Sequence, residues 1–321
     1  MAQAGNYRVR FYFQMANVPS HIKPQKPLQG ILLVLGAVFL FACQDAVGKF
    51  LFTTYAVPFV HAVRYFVNLT IMVVVIAPRY GWDIVKTQRP VLVVARGLAL
   101  ALGSLFGGFA LRAMPLAETV SILYIAPLAV LFLAMPVLGE KVKWFGWVAS
   151  GIGFAGLLLI VRPHANISTA GLVFSFLCLL TAVVYPVLSR FLSKTESTET
   201  MMFYVGLVGS IFYGVQLPWT MPSVFPPWSD FALMLVLGVG SLIGHSMFTA
   251  AYARAPVSLL GPFTYAHIAW ATLLGWWFFS QVPDIVTFMG IALVAMAGVG
   301  NAVMNYRTSR NTALIFEPQE A

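Results

Sequence analysis

Long apolar runs alternate with short polar or Pro- and Gly-containing breaks along almost the whole sequence. A helix needs about 20 mainly apolar residues to cross the hydrocarbon core of a bilayer. The runs therefore predict ten membrane-spanning helices, with approximate limits 28–50, 57–78, 91–112, 116–136, 143–161, 169–190, 200–219, 230–251, 256–278 and 284–304. The breaks between the predicted spans are too short to hold a soluble domain.

An internal repeat relates the first five predicted spans to the last five. A shift of 141 residues superimposes them without a gap, and it aligns the pairs Gly97/Gly238, Gly103/Gly244, Pro115/Pro256 and Tyr124/Tyr265. The repeat divides the chain into a polar tail, a first half, a second half and a C-terminal tail, with limits 1–27, 28–162, 169–304 and 305–321. Because five is an odd number, the second half must enter the membrane from the opposite side.

The positive charges test this inversion, because Lys and Arg are enriched in loops that stay on the cytoplasmic side. The loop 79–90 contains three basic residues, whereas its counterpart 220–231 contains none. Of the 19 Lys and Arg residues, all but four then lie at the cytoplasmic side, the exceptions being Lys49, Arg64, Arg112 and Arg162. We predict an all-α, multi-pass protein of the cell (inner) membrane, with two inverted five-helix repeats and both termini in the cytoplasm.

The composition agrees with a membrane location. Hydrophobic residues make up 60% of the chain, charged residues only 9%, and the mean hydropathy is +0.86, whereas soluble domains are about 25% charged. The net charge of +9 is scattered in short clusters between apolar runs, which argues against a nucleic-acid partner. The N-terminal tail lacks the apolar core of a signal peptide, and a start at Met1 or at Met15 is left open.

Ionisable side chains inside the spans are the first candidates for binding or coupling, because charge is costly in hydrocarbon. Asp45 and Lys49 are four residues apart in the first span, where each can neutralise the other. His61 and Arg64 share one face of the second span. Arg64 either pairs with Asp45, leaving Lys49 near the cavity mouth, or offers its guanidinium to a substrate carboxylate or phosphate.

Two tyrosines near the midplane are further candidates. Tyr124 and Tyr265 occupy equivalent positions in the fourth and ninth spans, where a stacking clamp for a flat cargo and ordinary helix–helix hydrogen bonding both stay open. His267 follows Tyr265 by two residues, about 200° further round the helix, so at most one of them faces a central cavity. For His245, in the eighth span, we expect a packing role.

Two groups of motifs resemble the repeat signature of EamA-type carriers, which belong to the drug/metabolite transporter superfamily. They are Ala126-Pro127-Leu128 and Leu138-Gly139-Glu140-Lys141 in the first half, and Pro262-Phe263-Thr264-Tyr265 and Pro283-Asp284 in the second. The second copy has Ile268 and Gln281 where the family pattern has Pro and Glu. The resemblance implies a ten-helix secondary carrier for a small metabolite, and known cargoes of the family include amino-acid derivatives, S-adenosylmethionine and riboflavin. It also implies an Arg in the part of the second helix where Arg64 stands.

Inverted repeats let two halves exchange conformations around a central site. We therefore predict a secondary transporter that moves a small polar metabolite, such as an amino-acid derivative or an S-adenosylmethionine-like or riboflavin-like compound, by alternating access. No catalytic residue, metal site or cofactor is expected. The expected partners are that metabolite and the lipid bilayer, and a homodimer is left open.

The alternative is a polytopic membrane enzyme or assembly factor that acts on a lipid or peptide. The sequence contains neither H-E-x-x-H nor a Gly-rich phosphate loop. The cargo, the direction of transport and the choice between proton coupling and exchange are left open.

Overall fold

The computed structural model describes residues 26–113, 143–161, 168–279 and 284–315, together with eight single positions between 122 and 137. Ten helices of eight residues or more are present in this described part. They are α1 (Pro27–Thr54), α2 (Val57–Ile71), α3 (Pro90–Ala113), α4 (Trp144–Val161), α5 (Thr169–Leu192), α6 (Thr198–Gly214), α7 (Trp228–Arg254), α8 (Val257–Thr264), α9 (Ala266–Phe279) and α10 (Ile285–Ile315).

These helices coincide with the predicted spans, except for the fourth span, 116–136, which lies mostly outside the described residues. Six helical stretches of the described chain are long and apolar enough to cross a membrane, and Trp144–Leu159 and Phe288–Asn301 are shorter apolar helices. Many large apolar side chains are also exposed on the outside of the bundle, for example Leu32, Phe176 and Ile211. An apolar outer surface of this extent is suited to lipid. The chain is a multi-pass membrane protein.

The helix ends follow from local chemistry. Pro residues occupy the first turns of α1 and α2, where the missing N–H costs nothing. The side chain of Ser168 accepts a hydrogen bond from the N–H of Gly171 at the start of α5, and Ser197 does the same for Thr200 at the start of α6. Such caps satisfy backbone donors that have no partner inside the helix.

Two spans are interrupted helices. Beyond α2, a π-helical turn (Met72–Ile76) leads into a last helical turn (Ala77–Tyr80). The ninth span is divided into α8 and α9 at Tyr265, three residues after Pro262. Pro262 has no N–H to bond the carbonyl of Ser258, and the side-chain amide of Asn301 on α10 donates to that carbonyl at 3.2 Å instead. The ninth span was predicted as one continuous helix, and this break was not foreseen.

Helices of the two predicted halves pack against each other throughout the bundle. The helix α1 lies along α7, α3 lies along α5, α4 packs on α10, and α2 packs on α6. The largest apolar cluster joins Val34 and Val38 of α1 to Ala251 of α7 and Leu260 of α8. Residues from both halves therefore share one core.

Small residues allow this close approach at equivalent positions of the two halves. A Cβ on Gly97 would lie 3.0 Å from Cβ of Val208, and a Cβ on Gly238 would lie 2.5 Å from Cβ of Val67. Gly97 and Gly238 are 141 positions apart, and so are Val67 and Val208. The contact of α3 with α6 thus has a counterpart in the contact of α7 with α2. Both depend on a helix surface without a side chain.

The Gly238→Ala variant should lose stability, because its methyl group would displace Val67. We expect a loss of about 1–3 kcal/mol, the usual cost of overpacking. The matched control is Gly240→Ala, two residues along the same helix, where a Cβ would have no atom within 4 Å. It should be neutral or slightly stabilising. Denaturation of both variants in detergent measures the difference, and equal stability of the two would contradict this packing.

Candidate functional site

A cavity of about 370 Å³ lies between the two predicted halves. Small-molecule sites typically measure about 300–1,000 Å³. Its lining includes Val38 and Asp45 of α1, Ser104 of α3, Thr181 of α5 and His245 of α7. These residues stand in the middle parts of their helices, so the cavity lies at mid-depth in the bundle. Its wall is mainly apolar. Two clusters of polar side chains lie on it, and a third begins at Tyr185 and His245 on the wall and continues into the protein behind it.

The first cluster is centred on Arg64. Its Nη2 donates to Oγ of Ser104 at 2.7 Å, and its guanidinium lies 4.7 Å from the ring centroid of Tyr65. His61, one turn earlier, contacts the carbonyl oxygen of Ser104 through Nε2 at 3.0 Å. Since a carbonyl only accepts, this nitrogen of His61 carries a proton. The structure therefore brings His61 and Arg64 together, as their spacing predicts.

The charge of Arg64 has no carboxylate within ion-pair distance among the described residues. Its side chain is only 9% exposed, and Arg64 lines the cavity. A hydroxyl and an aromatic ring provide hydrogen bonding and cation–π stabilisation, but they do not neutralise the charge. The cavity wall therefore offers a positive charge to an anionic group.

The second cluster pairs Asp45 with His267. Oδ2 of Asp45 lies 3.2 Å from Nε2 of His267, so this contact joins α1 to α9 across the two halves. The ion pair of Asp45 with Arg64, one of the two alternatives for Arg64, is not formed in the described part of the chain, where the partner of Asp45 is His267. Lys49 forms no ion pair with Asp45 in the described part of the chain and is exposed on the helix surface. Long basic side chains near helix ends commonly extend towards the interface in this way.

Tyr265 lies away from the cavity. It is fully buried beside Leu157, Ile268 and Val294. Its ring is so close to α4 that a Cβ on Gly153 would meet it at 2.8 Å. His267 lines the cavity instead, which agrees with the expectation that only one of these two residues does so. The position favours helix packing over a stacking clamp for Tyr265, while Tyr124 lies outside the described residues.

The third cluster was missed by the sequence analysis, which placed Arg96 at the cytoplasmic edge. Arg96 is fully buried on α3. Its guanidinium donates to Oγ of Ser189 at 2.8 Å, to Oη of Tyr185 at 2.8 Å, to Oγ1 of Thr249 at 2.6 Å and to the carbonyl of Met201 at 3.0 Å. Its partners belong to α5, α6 and α7, so one side chain ties the first half to three helices of the second.

The sequence carries little signal for Arg96. It is the seventh residue of α3, which places it about 9 Å along the axis at 1.5 Å per residue. A long basic side chain near a helix end usually extends to the interface, so this position did not reveal its burial. In the described part of the chain, no group of three or more His, Cys, Asp or Glu side chains is arranged to hold a metal ion.

The sequence profile of the EamA-like transporter family matches residues 28–162 and 169–301. The chain is 26% identical to an S-adenosylmethionine uptake transporter of Rickettsia prowazekii over 84% of its own length and 91% of that protein. It is 27% identical to a pseudopaline exporter of Pseudomonas aeruginosa, covering 84% and 94% of the two chains. It is 26% identical to a riboflavin transporter of Vibrio cholerae, covering 84% and 92%.

The fold also has a counterpart among solved structures. A crystal structure superimposes with a TM-score of 0.76 at 19% identity, covering 88% of this chain and 99% of its own. At this identity the similarity concerns the fold alone.

The hydrogen bond between Arg64 and Ser104 should contribute measurably to stability. In the Ser104→Ala variant the buried guanidinium loses a hydroxyl acceptor, and we expect a loss of about 1.5–3 kcal/mol, as for hydrogen bonds to charged groups. Thr53→Ala, which removes an exposed hydroxyl bonded only to the carbonyl of Phe50, is the control and should change stability by less than about 0.5 kcal/mol. The midpoints of thermal unfolding of the two variants are compared in detergent. Indistinguishable midpoints would contradict the Arg64–Ser104 interaction.

Proposed function

Because the chain belongs to the EamA-like transporter family, we propose that it carries a small polar metabolite across the membrane by alternating access through the cavity between its halves. The family and the named relatives are transporters, not enzymes. The observation that carries the proposal is the cavity itself, a mid-depth site whose mainly apolar wall includes Asp45 and Arg64, the latter with no carboxylate partner among the described residues. Secondary carriers bind their substrates at such a position between repeats.

The proposed architecture is ten helices in two inverted repeats. Under the shift of 141 residues, α1 corresponds to α5 and α3 corresponds to α7. The packing of α1 on α7 is therefore the repeat-equivalent of the packing of α5 on α3, and both contacts are extensive. The contacts of Gly97 with Val208 and of Gly238 with Val67 are related by the same shift. These equivalences support a pseudo-two-fold relation between the halves, and the charges of the loops support an inverted one with both termini in the cytoplasm.

Two polar contacts are also equivalent under this shift, and we call them the latches. In the first, Oη of Tyr55 donates to Oδ2 of Asp230 at 2.7 Å. In the second, Oε1 of Glu196 accepts from the backbone N–H groups of Gln88 at 3.0 Å and Arg89 at 3.2 Å. Tyr55 and Glu196 are 141 positions apart, as are Arg89 and Asp230.

Each latch joins the end of the first helix of one half to the start of the third helix of the other half. In the proposed topology, the Tyr55 latch is on the outer face of the membrane and the Glu196 latch is on the cytoplasmic face. The hydrogen bond to Asp230 raises the pKa of Tyr55, so this phenol keeps its proton and remains a donor through the physiological pH range. Alternating access would break one latch while the other holds.

The charges of the cavity suggest the chemistry of the cargo. Arg64 suits a carboxylate or phosphate, and Asp45 suits a positively charged group. S-adenosylmethionine combines a carboxylate with positive ammonium and sulfonium groups, and riboflavin is flat and polar. We therefore propose an amino-acid derivative or an S-adenosylmethionine-like compound as the cargo, with a riboflavin-like compound as the second choice.

Transport of a labelled metabolite panel tests the function. Cells that express the protein should take up or expel at least one of S-adenosylmethionine, amino acids and riboflavin faster than cells without it. Arg64→Gln and Asp45→Asn should each reduce that transport about tenfold or more, because a charge-assisted contact to the cargo is lost. The control Lys49→Gln, one turn from Asp45 but exposed, should transport normally. Full activity in both site variants would contradict the assignment of the cavity.

Chemical locking of each latch tests the mechanism. In a background without Cys43 and Cys178, cysteines replace Tyr55 and Asp230, or Gln88 and Glu196, and a short cleavable thiol cross-linker joins them. Either cross-link alone should stop transport, and its cleavage should restore it, because each alternative state requires one latch to open.

The control for locking is a pair of cysteines at Asp83 and Lys86, which form a salt bridge of 2.7 Å within one exposed loop. This cross-link stays within one loop and does not join the two halves, so it should leave transport unchanged. Continued transport with either latch locked would contradict the alternating opening of the two faces.

A further inference from the structure

His245 stands at the cavity wall with one ring nitrogen already bonded. Its Nδ1 lies 3.3 Å from Oη of Tyr185. Oη of Tyr185 in turn accepts from Nη2 of Arg96 at 2.8 Å, and the guanidinium lies 4.5 Å from the centroid of the Tyr185 ring. The three residues form a chain of polar contacts that runs from a fully buried cation to the cavity.

The proton positions in this chain follow from what each group can donate. Arg96 only donates, so Oη of Tyr185 accepts from it and keeps its own hydrogen to give. Nδ1 of His245 and Oγ1 of Thr249 are both acceptors near that hydrogen. Oγ1 of Thr249 already accepts from Nη2 of Arg96 at 2.6 Å, whereas Nδ1 has no other donor in the described part of the chain, so we assign the hydrogen of Tyr185 to Nδ1.

The ring of His245 is therefore neutral, with its proton on Nε2. A second positive charge on the ring would also be unfavourable, because it would stand one hydroxyl away from the guanidinium of Arg96 in surroundings of low dielectric constant. The partners of Arg96 do not offset that repulsion, since they are hydroxyls and a carbonyl.

The other edge of the ring has no protein partner in the described part of the chain. Nε2 of His245 forms no hydrogen bond there. Because it is absent from the fully buried atoms without a partner, it keeps some accessible surface. Two aromatic rings pack against the imidazole: the centroid of the Phe41 ring lies 4.6 Å away in a tilted arrangement, and that of the Tyr185 ring lies 5.6 Å away in an edge-on arrangement. Because His245 lines the cavity, its N–H group is directed to the cavity.

We propose that Arg96, acting through Tyr185, fixes His245 as a neutral ring that presents its Nε2–H to a hydrogen-bond acceptor of the cargo. This proposal rests on the proposed function for the identity of the partner as cargo. Arg96 and Tyr185 are positioning residues, and His245 is a specificity-determining one. The cavity then combines a cationic donor at Arg64 with a neutral donor at His245, so a cargo with a carboxylate and a separate neutral acceptor, such as a ring nitrogen or carbonyl, fits both.

Nitrogen NMR of the histidine rings tests the proton assignment without any cargo. The chain has five histidines, and the signal missing from a His245→Gln spectrum identifies the ring of His245. In the wild-type protein, at neutral pH in lipid nanodiscs, that ring should show a protonated Nε2 and an unprotonated Nδ1. In Tyr185→Phe the assignment should change to a mixture of both neutral forms. A wild-type signal from a protonated Nδ1, or from a doubly protonated ring, would overturn the proposal.

Transport kinetics test the role in specificity, with S-adenosylmethionine and riboflavin as the probes. Gln places an N–H close to the position of Nε2, whereas Leu has none. We expect His245→Gln to keep KM within about threefold of the wild type and His245→Leu to raise it about tenfold, the effect of one lost hydrogen bond. The maximal rate should change less than KM in both.

Two further variants separate positioning from general stability. Tyr185→Phe should raise KM in the same way as His245→Leu, because the ring of His245 loses its orientation. Ser189→Ala removes a different bond of Arg96 and should leave KM unchanged. Equal KM values for His245→Leu and His245→Gln would overturn the role of Nε2–H. A wild-type protein that moves neither probe would contradict the proposed cargo classes, whereas the ring spectrum would still decide the proton assignment.

Discussion

A charged group surrounded by hydrocarbon must find its hydrogen-bond partners inside the protein, because no water is there to supply them. Arg96 shows how strongly this requirement shapes the bundle. Its guanidinium is fully buried and bonded to side chains and a carbonyl from three helices of the other half. Loss of one partner would leave the buried charge less well solvated, at a cost of about 1.5–3 kcal/mol. The relative position of α3, α5, α6 and α7 therefore depends on this side chain.

The same requirement explains why the polar groups of the site lie where the helices meet around the cavity. Asp45 of α1 has its contact with His267 of α9, and Arg64 of α2 is held by Ser104 of α3. Lipid-facing positions cannot supply such partners, so a carrier built from apolar helices can place ionisable groups only at the helix interfaces around its central cavity. The cavity is therefore the place where a polar cargo can replace protein partners and exchange one set of hydrogen bonds for another.

The spans could be predicted from the sequence because hydrophobic length reports directly on the membrane. The glycine pairs were visible in the repeat, and the structure places Gly97 and Gly238 at equivalent contacts. The division of the ninth span at Tyr265 was not predicted, although Pro262 marked the place, because the compensating amide comes from Asn301, more than 30 residues away in the sequence. Compensation by a distant residue cannot be derived from local pattern.

For the site, the sequence predicted some of the charged residues but not the contacts that they make. Charge inside an apolar run identified Asp45 and Arg64, but not their partners, since partners depend on how helices of different spans rotate against one another. The rotation of the ninth span also determines which of Tyr265 and His267 lines the cavity. The sequence does not give that rotation, and the packing of Tyr265 on Gly153 shows that the tyrosine is directed away from the cavity. Arg96 was missed because a basic residue near a helix start is usually interfacial, and its burial became visible only from the residues around it.

In the proposed transport cycle, one cavity between the halves is open to each side of the membrane in turn. The most direct measurement uses Ala182, which lines the cavity on α5, replaced by cysteine in a protein without Cys43 and Cys178. A membrane-impermeant thiol reagent is applied to each side separately. Labelling from either side, slowed by the transported metabolite, is the predicted result. Labelling from one side only, whether or not metabolite is present, would contradict alternating access through this cavity.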